Sequence, residues 1–260
     1  AGAMFLSAAM MITGLDKRIA LLVMSRIGVQ SNRLIIGVIF VGFLLSFFVP
    51  STTARVSCMV PIVAGIIRAF GLEAGSTFAG VLMMAVAQAD SLWNISIKTA
   101  AAQNVVAVGF IQQVLGEDIS WLEWFIAAAP YAVVLSVVLY FILIKTMPPE
   151  VKEMPGGKEA IWRMRDEMGP VSLPEKKLLL VSALLLFFWV TEKKLHPFDT
   201  TTVTLAGIML LMLPRWGVMT WQQAVPHINW GTVALFGVGI SLGSALLKSQ
   251  AAVWLAHYFV

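Results

Sequence analysis

Charge is scarce in this chain. Only 12% of its 260 residues are Asp, Glu, Lys or Arg, against about 25% in a soluble domain. With 59% hydrophobic residues and a mean hydropathy of +0.86, the composition is that of an integral membrane protein of the helical type. Cysteine is nearly absent too. Cys58 stands alone inside an apolar stretch, which excludes a disulfide framework and reads as a small core residue. Long period-2 alternation is missing, which argues against a barrel. No nucleophile elbow, HExxH helix or phosphate loop occurs, so enzymatic chemistry lacks support. His196, His227 and His257 share no helical spacing and suggest no metal beyond sodium. The net charge of +4 lies between apolar segments, where it reports topology and not nucleic-acid binding.

What is present is a polar interruption at an informative place. Pro50-Ser51-Thr52-Thr53-Ala54-Arg55 divides a long apolar run into arms of 16 residues (Leu34 to Val49) and 15 residues (Val56 to Phe70). Spanning a bilayer takes about 20 residues of helix, so the arms read as a re-entrant hairpin, 34–70, with a polar tip. Backbone off the helix is tolerated at membrane depth only where protein buries it or water reaches it. Three hydroxyls at such a tip point to a solute site near the midplane, as secondary transporters build theirs. A second interruption, Asn94 to Asn104, divides 77–115 into half-helices of 17 and 11 residues.

The rest of the chain reads around these two features. Residues 1–30 are the end of a scaffold helix followed by an amphipathic arm in the membrane plane, and 31–116 are a transport domain. Residues 119–145 form a transmembrane helix with Trp121 and Trp124 at an interface. The connector 146–177 is polar and basic. Spans are expected at 178–190 and 200–213, then an apolar segment carrying Gly239-x-x-x-Gly243. Lys17, Arg18, Arg26, Arg33 and Arg68 gather at the open end of the hairpin, so that end and the connector should be cytoplasmic and the Glu117-Asp118 turn outside. Lys193-Lys194 then falls outside, against the trend. An offset of 236 residues pairs Leu6 with Leu242, Ala9 with Ala245, Thr13 with Ser249 and Ala20 with Ala256. Residues 178–260 therefore read as the start of an inverted second repeat, truncated before its own hairpin. The abrupt apolar ends read the same way, as those of a fragment.

Four stretches carry a resemblance. They are Thr13-Gly14-Leu15-x-Lys17-Arg18-Ile19-Ala20, the tip Pro50 to Arg55 with Pro61, Thr99-Ala100-Ala101-Ala102-Gln103-Asn104, and Ile228-Asn229-Trp230. With them the chain resembles the divalent anion/sodium symporter family, in its bacterial branch of citrate, tartrate or 2-oxoglutarate/malate carriers. The family's tip is Ser-Asn-Thr. In this chain Ser51 and Thr53 match, and Thr52 stands where asparagine is usual.

The resemblance implies an all-α, inverted-repeat, elevator-type secondary transporter, of which this chain is a part. It implies symport with sodium or anion exchange, a bacterial cytoplasmic (inner) membrane location, a homodimer, and partners limited to a carboxylate anion and membrane lipid. Other ions, such as sulfate, arsenite, sodium or protons, are the alternative cargo. A non-transporting membrane protein is the alternative class.

Site candidates follow from the same stretches. Ser51, Thr52, Thr53 and Arg55 are candidates for the anion. Hydroxyl and backbone donors at a half-helix N-terminus suit a carboxylate, and Arg55 would attract one. Ser51, Thr53, Asn94, Thr99 and Asn104 offer hard oxygens for a sodium ion. No other cofactor is expected. Arg55, Asp90 and Lys98 are ionisable groups at membrane depth, which face a cavity or one another. Lys98 lies inside the proposed cation site, so its ammonium is a candidate surrogate for a sodium ion.

Overall fold

The computed structural model describes residues 2–72, 75–150, 157–251 and 254, and among them it is helical throughout apart from turns, short connecting stretches and isolated bridge residues, Glu192 with His196 among them. In chain order the helices are α1 (Gly2–Thr13), α2 (Leu15–Ile27), α3 (Ser31–Phe48), α4 (Thr52–Ala69), α5 (Thr77–Ser96) and α6 (Ala102–Leu115). They continue as α7 (Trp121–Thr146), α8 (Gly157–Asp166), α9 (Leu173–Val190), α10 (Thr200–Leu211), the one-turn α11 (Trp221–Ala224) and α12 (Trp230–Lys248). Parts of the expected connector, 151–156, and of the expected second arm, including Ala256, lie outside the described residues.

The two interruptions are shorter than their polar strings suggest. Ser51 caps α4 by accepting from the Ala54 amide, so Thr52 to Arg55 form the first helical turn and only Val49 to Ser51 are off the helix. Likewise Asn94 to Ser96 complete α5 and Ala102 to Asn104 begin α6, leaving Ile97 to Ala101 as the break. The arms α3 and α4 are thus 18 residues each, about 27 Å long at ~1.5 Å per residue. Both are long and apolar enough to cross a membrane, as are α5 and α7, so length alone no longer separates a re-entrant hairpin from two spans. The expected span at 200–213 is the 12-residue α10, too short for a ~30 Å hydrocarbon layer.

Helices sort into two packing groups. In the first, α5 lies against α3, α4 and α7. In the second, α1 lies against α9, α10 and α11. The arms α3 and α4 touch each other little; what joins them is their common neighbour α5. The α3–α5 seam is close because Gly42 has no side chain: a Cβ there would sit 3.3 Å from the Ala89 Cβ and 3.7 Å from the Asp90 amide. Between the groups runs α2, set off from α1 by Gly14 with φ of 74°. Arg18 ties α2 to the start of α9, donating to Glu175 Oε1 at 2.6 Å and to the Gly169 carbonyl at 2.9 Å. Glu175 is itself half of a capping box with Ser172.

α5 and α7 run antiparallel over their whole length. At one end the Thr77 amide donates to Glu150, past the end of α7. At the other, Phe47 and Phe125 pack on Trp121, the first residue of α7. Trp121 is 1% exposed, a core residue and not the interfacial anchor expected of it. Along α7, the break lies beside its first turn, where the Trp121 and Trp124 indoles donate to Thr99 Oγ1 and the Ile95 carbonyl.

The seam makes the first prediction. Gly42→Leu forces α3 from α5 at Asp90 and should cost about 1–3 kcal/mol by overpacking, whereas Gly42→Ala, with a contact only slightly tight, should cost much less. Thermal unfolding of the purified full-length protein in detergent measures both; equal stability for Gly42→Leu and the parent would show that the seam opens freely.

Candidate anion-binding site

The site begins with an arginine. Breaking a helix strands backbone carbonyls that have no intrahelical partner, and burying them unpaired is costly. Arg55, 1% exposed, answers them. Its Nη1 donates to the Val49 carbonyl at 2.7 Å and to the Ala100 carbonyl at 3.3 Å, one from each interruption. Its Nη2 donates to Asn94 Oδ1 at 3.1 Å and to Thr52 Oγ1 at 3.5 Å. Nε donates to Asp90 Oδ1 in a buried ion pair. All five N–H donors of the guanidinium are engaged. Asp90 Oδ2 has no hydrogen-bond partner, so the arginine is its sole counter-charge among the described residues.

This places Arg55, expected to bind substrate, behind the tip and not on the cavity. Its partner Asn94 also accepts from the Thr52 hydroxyl at 3.0 Å. Thr52, which stands where the resemblance expects asparagine, thus hydrogen-bonds an asparagine of α5. Asn104 closes the break by donating from Nδ2 to the Asn94 carbonyl at 2.7 Å and the Ile97 carbonyl at 2.9 Å. Of the five expected cation ligands, Asn94 and Asn104 therefore meet, but the two carbonyls between them are taken by the Asn104 amide. Thr99 faces elsewhere, accepting from the Trp121 indole at 3.1 Å.

Lys98 does not hold a cation's place. Its Nζ donates to the Ile119 carbonyl at 2.7 Å and lies 3.7 Å from Glu192 Oε2, on the side of the break that faces α7 and not Asn104. The reason is the carboxylate, which offers a buried ammonium a counter-charge that the oxygens of the break lack.

In front of the tip is a cavity of about 280 Å³. Ser51, Thr52 and Thr53 line it from the start of α4, Ala102 and Gln103 from the start of α6, and Asn229 and Thr232 from the start of α12. Three helix N-termini thus converge on one space. Each presents first-turn amides with no intrahelical acceptor and the positive end of its dipole. The α6 start has no side-chain cap, and in α12 Asn229 Oδ1 takes the Thr232 amide at 3.0 Å. Such a place favours an anion. Among the described lining residues none is Lys or Arg, so hydroxyls and amides carry the recognition.

Gln103, His227, Asn229 and Thr232 were not singled out as ligands by sequence, although Gln103 and Asn229 fall in the stretches that carry the resemblance. The available signal was the N-cap pattern of Asn229 ahead of an apolar run. A second cavity of about 510 Å³ shares Met11, Ala54 and Ser57 with the first and continues along α4 through Cys58, Pro61 and Gly65 to Arg68, Lys17 and Glu167. Asp16 lies on it, and burial raises its carboxyl above the usual range despite the Lys17 amide donating to it. Together the two cavities make a cleft from the tip to the α8 end of the molecule.

The model of the sodium:sulfate symporter transmembrane region matches residues 1–260. A membrane protein of Cupriavidus necator is 53% identical over the whole chain, which covers 51% of that protein. The inner membrane protein YbhI of Escherichia coli is 32% identical over 98% of this chain and 54% of its own length. The sodium-dependent dicarboxylate transporter SdcS of Staphylococcus saprophyticus is 28% identical, over 98% and 53%. The chain spans about half the length of the curated relatives it matches.

The arginine makes a prediction for stability. Arg55→Met leaves Asp90 buried and unpaired, and Asp90→Leu leaves the guanidinium so; each should cost about 3–5 kcal/mol. The double variant should lose less than the sum, by ~1 kcal/mol or more. A double-mutant cycle by chemical unfolding in detergent measures the coupling, and strict additivity would show that the two charges do not support each other.

Proposed function

The chain belongs to the sodium:sulfate symporter family, and on that premise we propose that the whole protein is a secondary active carrier of di- or tricarboxylate anions in a bacterial cytoplasmic membrane. The observation that carries the proposal is the convergence of three helix N-termini on one hydroxyl-lined cavity whose described lining holds no lysine or arginine. A dianion of a few carbon atoms suits a cavity at the small end of the range for ligand pockets, with a carboxylate at each of two N-termini. The relatives bear on the same reading: SdcS is named a sodium-dependent dicarboxylate transporter and YbhI an inner membrane protein.

The anion is held by the Ser51 and Thr53 hydroxyls and the amides that begin α4. Ser51 and Thr53 also offer oxygens to a sodium ion entering with the substrate, and Asn94 and Asn104 hold the carbonyls of the break in place beside them. Lys98, drawn off to Glu192, leaves that region free of a competing ammonium. The two packing groups are the scaffold and the moving domain of an elevator carrier that works as a homodimer, with α3 and α4 as the re-entrant hairpin.

Uptake by the full-length protein tests this. Labelled succinate or citrate should enter with sodium and not with choline, and excess unlabelled dicarboxylate should compete better than sulfate. Thr53→Ala removes an exposed donor to a charged ligand and should weaken uptake affinity by roughly tenfold or more, about 1.5–3 kcal/mol, with thermal stability unchanged. Sulfate competing better than every carboxylate would reassign the cargo. Unaltered affinity in Thr53→Ala would make that residue a bystander.

A further inference from the structure

The proposed function leaves one buried acid unused. Glu192, 6% exposed, lies just past the end of α9, in the second packing group. Its Oε1 accepts from the Thr200 amide at 2.8 Å, and the Thr200 hydroxyl, at the start of α10 in the same group, lies 3.1 Å from Oε1 and 3.0 Å from Oε2. Oε2 also reaches across to the first group, accepting from the Trp121 amide at 2.8 Å and facing Lys98 Nζ at 3.7 Å. Thr200 holds the carboxylate at home, and Oε2 ties it in addition to α7 and to the break. Beside it, Lys193 donates to the Asp118 carbonyl and lies 3.1 Å from the Asp118 carboxylate, a second and exposed bridge between the same two loops. Elsewhere along the boundary between α1 and α4 the groups are parted by the cleft, which runs from the tip to residues of α8.

We propose that Glu192, with Lys98, is a latch between the two groups, which holds the carrier closed at the Glu117-Asp118 end while the cleft stays open at the α8 end. This rests on the reading of the two groups as domains that move past each other. Moving them by more than a hydrogen-bond length takes Oε2 from the Trp121 amide and leaves Lys98 and Glu192 as separated buried charges. The closed arrangement is therefore a discrete state, left only when water or a new partner reaches both groups. The pairing also accounts for Lys193, a basic residue on the side where few were expected: its partner is Asp118.

The test uses the full-length carrier and two readouts. The first is an exposed cysteine pair, Asp118→Cys with Lys193→Cys, joined by a short reducible bis-methanethiosulfonate added from the Glu117-Asp118 side. Uptake of labelled dicarboxylate should stop on cross-linking and return on reduction. Uptake that persists with the link in place overturns the latch. The second readout needs no substrate. Ser57 is exposed and lines both cavities of the cleft, so in a Ser57→Cys, Cys58→Ser background a membrane-impermeant maleimide added from the α8 side should modify the introduced thiol, as read by mass spectrometry of its peptide. With Glu192→Gln added, the state with the cleft open is less populated, and modification should slow by roughly tenfold, the effect of losing about one buried pair's bias. An unchanged rate with Glu192→Gln overturns the proposal. Should the uncross-linked protein carry no dicarboxylate, the assignment of substrate falls, and the labelling rate still decides the latch.

Discussion

The guanidinium of Arg55 is the interaction on which the rest of this site depends. A membrane helix that stops in mid-course has to find partners for the carbonyls it strands, and two such helices have to do so at one place. A single planar group with five donors serves both interruptions, bonding Val49 on one side and Ala100 on the other. A lysine has three donors around one nitrogen and no fork, so it cannot reach two carbonyls, an amide oxygen and a carboxylate together. The charge brought in for that purpose needs its own answer, which is Asp90. Asp90 in turn is brought to Arg55 along the seam that Gly42 allows. Backbone satisfaction, ion pair and helix packing are thus successive consequences of breaking the helices.

The breaks are worth that cost because they turn helix ends toward a common space. Whole spans keep their termini at the membrane surface. In this chain the starts of α4, α6 and α12 open on one cavity, and the carbonyl ends that would oppose an anion are tied back by Arg55 and Asn104. On the proposed reading, a site made of dipoles and hydroxyls also has a kinetic merit for a carrier. A bidentate arginine in the cavity would hold a carboxylate tightly on both sides of the membrane, whereas amides and hydroxyls would bind a dianion and let it go.

Much of this was legible in the residues, and what was not has a physical reason. The polar strings at 50–55 and 94–104 located both interruptions, since apolar surroundings make polar residues informative. They overstated the length of the breaks because Ser, Thr and Asn are polar without being helix breakers at caps: Ser51 starts α4 at once, and Asn104 folds into α6 while bonding the break behind it. The same overstatement made the arms seem too short to span. Arg55, Asp90 and Lys98 stood out as charges in apolar sequence, but partner choice is a matter of packing. Asp90 lies 35 residues from Arg55, and Glu192 lies far beyond Lys98, past α6, α7, α8 and α9. Trp121 reads as an interfacial tryptophan by its neighbours on the chain; Phe47 and Thr99, which bury it, come from other parts of the fold.

Two buried carboxylates mark the ends of α9, and they are built alike. Glu175 at the start takes the Ser172 amide from its own turn and Arg18 from α2; Glu192 past the end takes Thr200 from its own neighbourhood and Lys98 and the Trp121 amide from the first group. In each case backbone or hydroxyl donors on the same group fix the acid, so its rotamer is set before the foreign cation arrives. That arrangement matters for motion. Apolar surfaces slide past one another with little change in energy from one register to the next, and a carrier built of them alone would have no defined resting states. A pre-fixed carboxylate in a low-dielectric setting gives the boundary a steep, short-range preference for one register, because the cost of an unpaired buried charge appears as soon as the partner leaves. On the proposed reading, the apolar faces let the groups move and Glu192 defines where they stop, while Glu175 ties the start of α9 to α2.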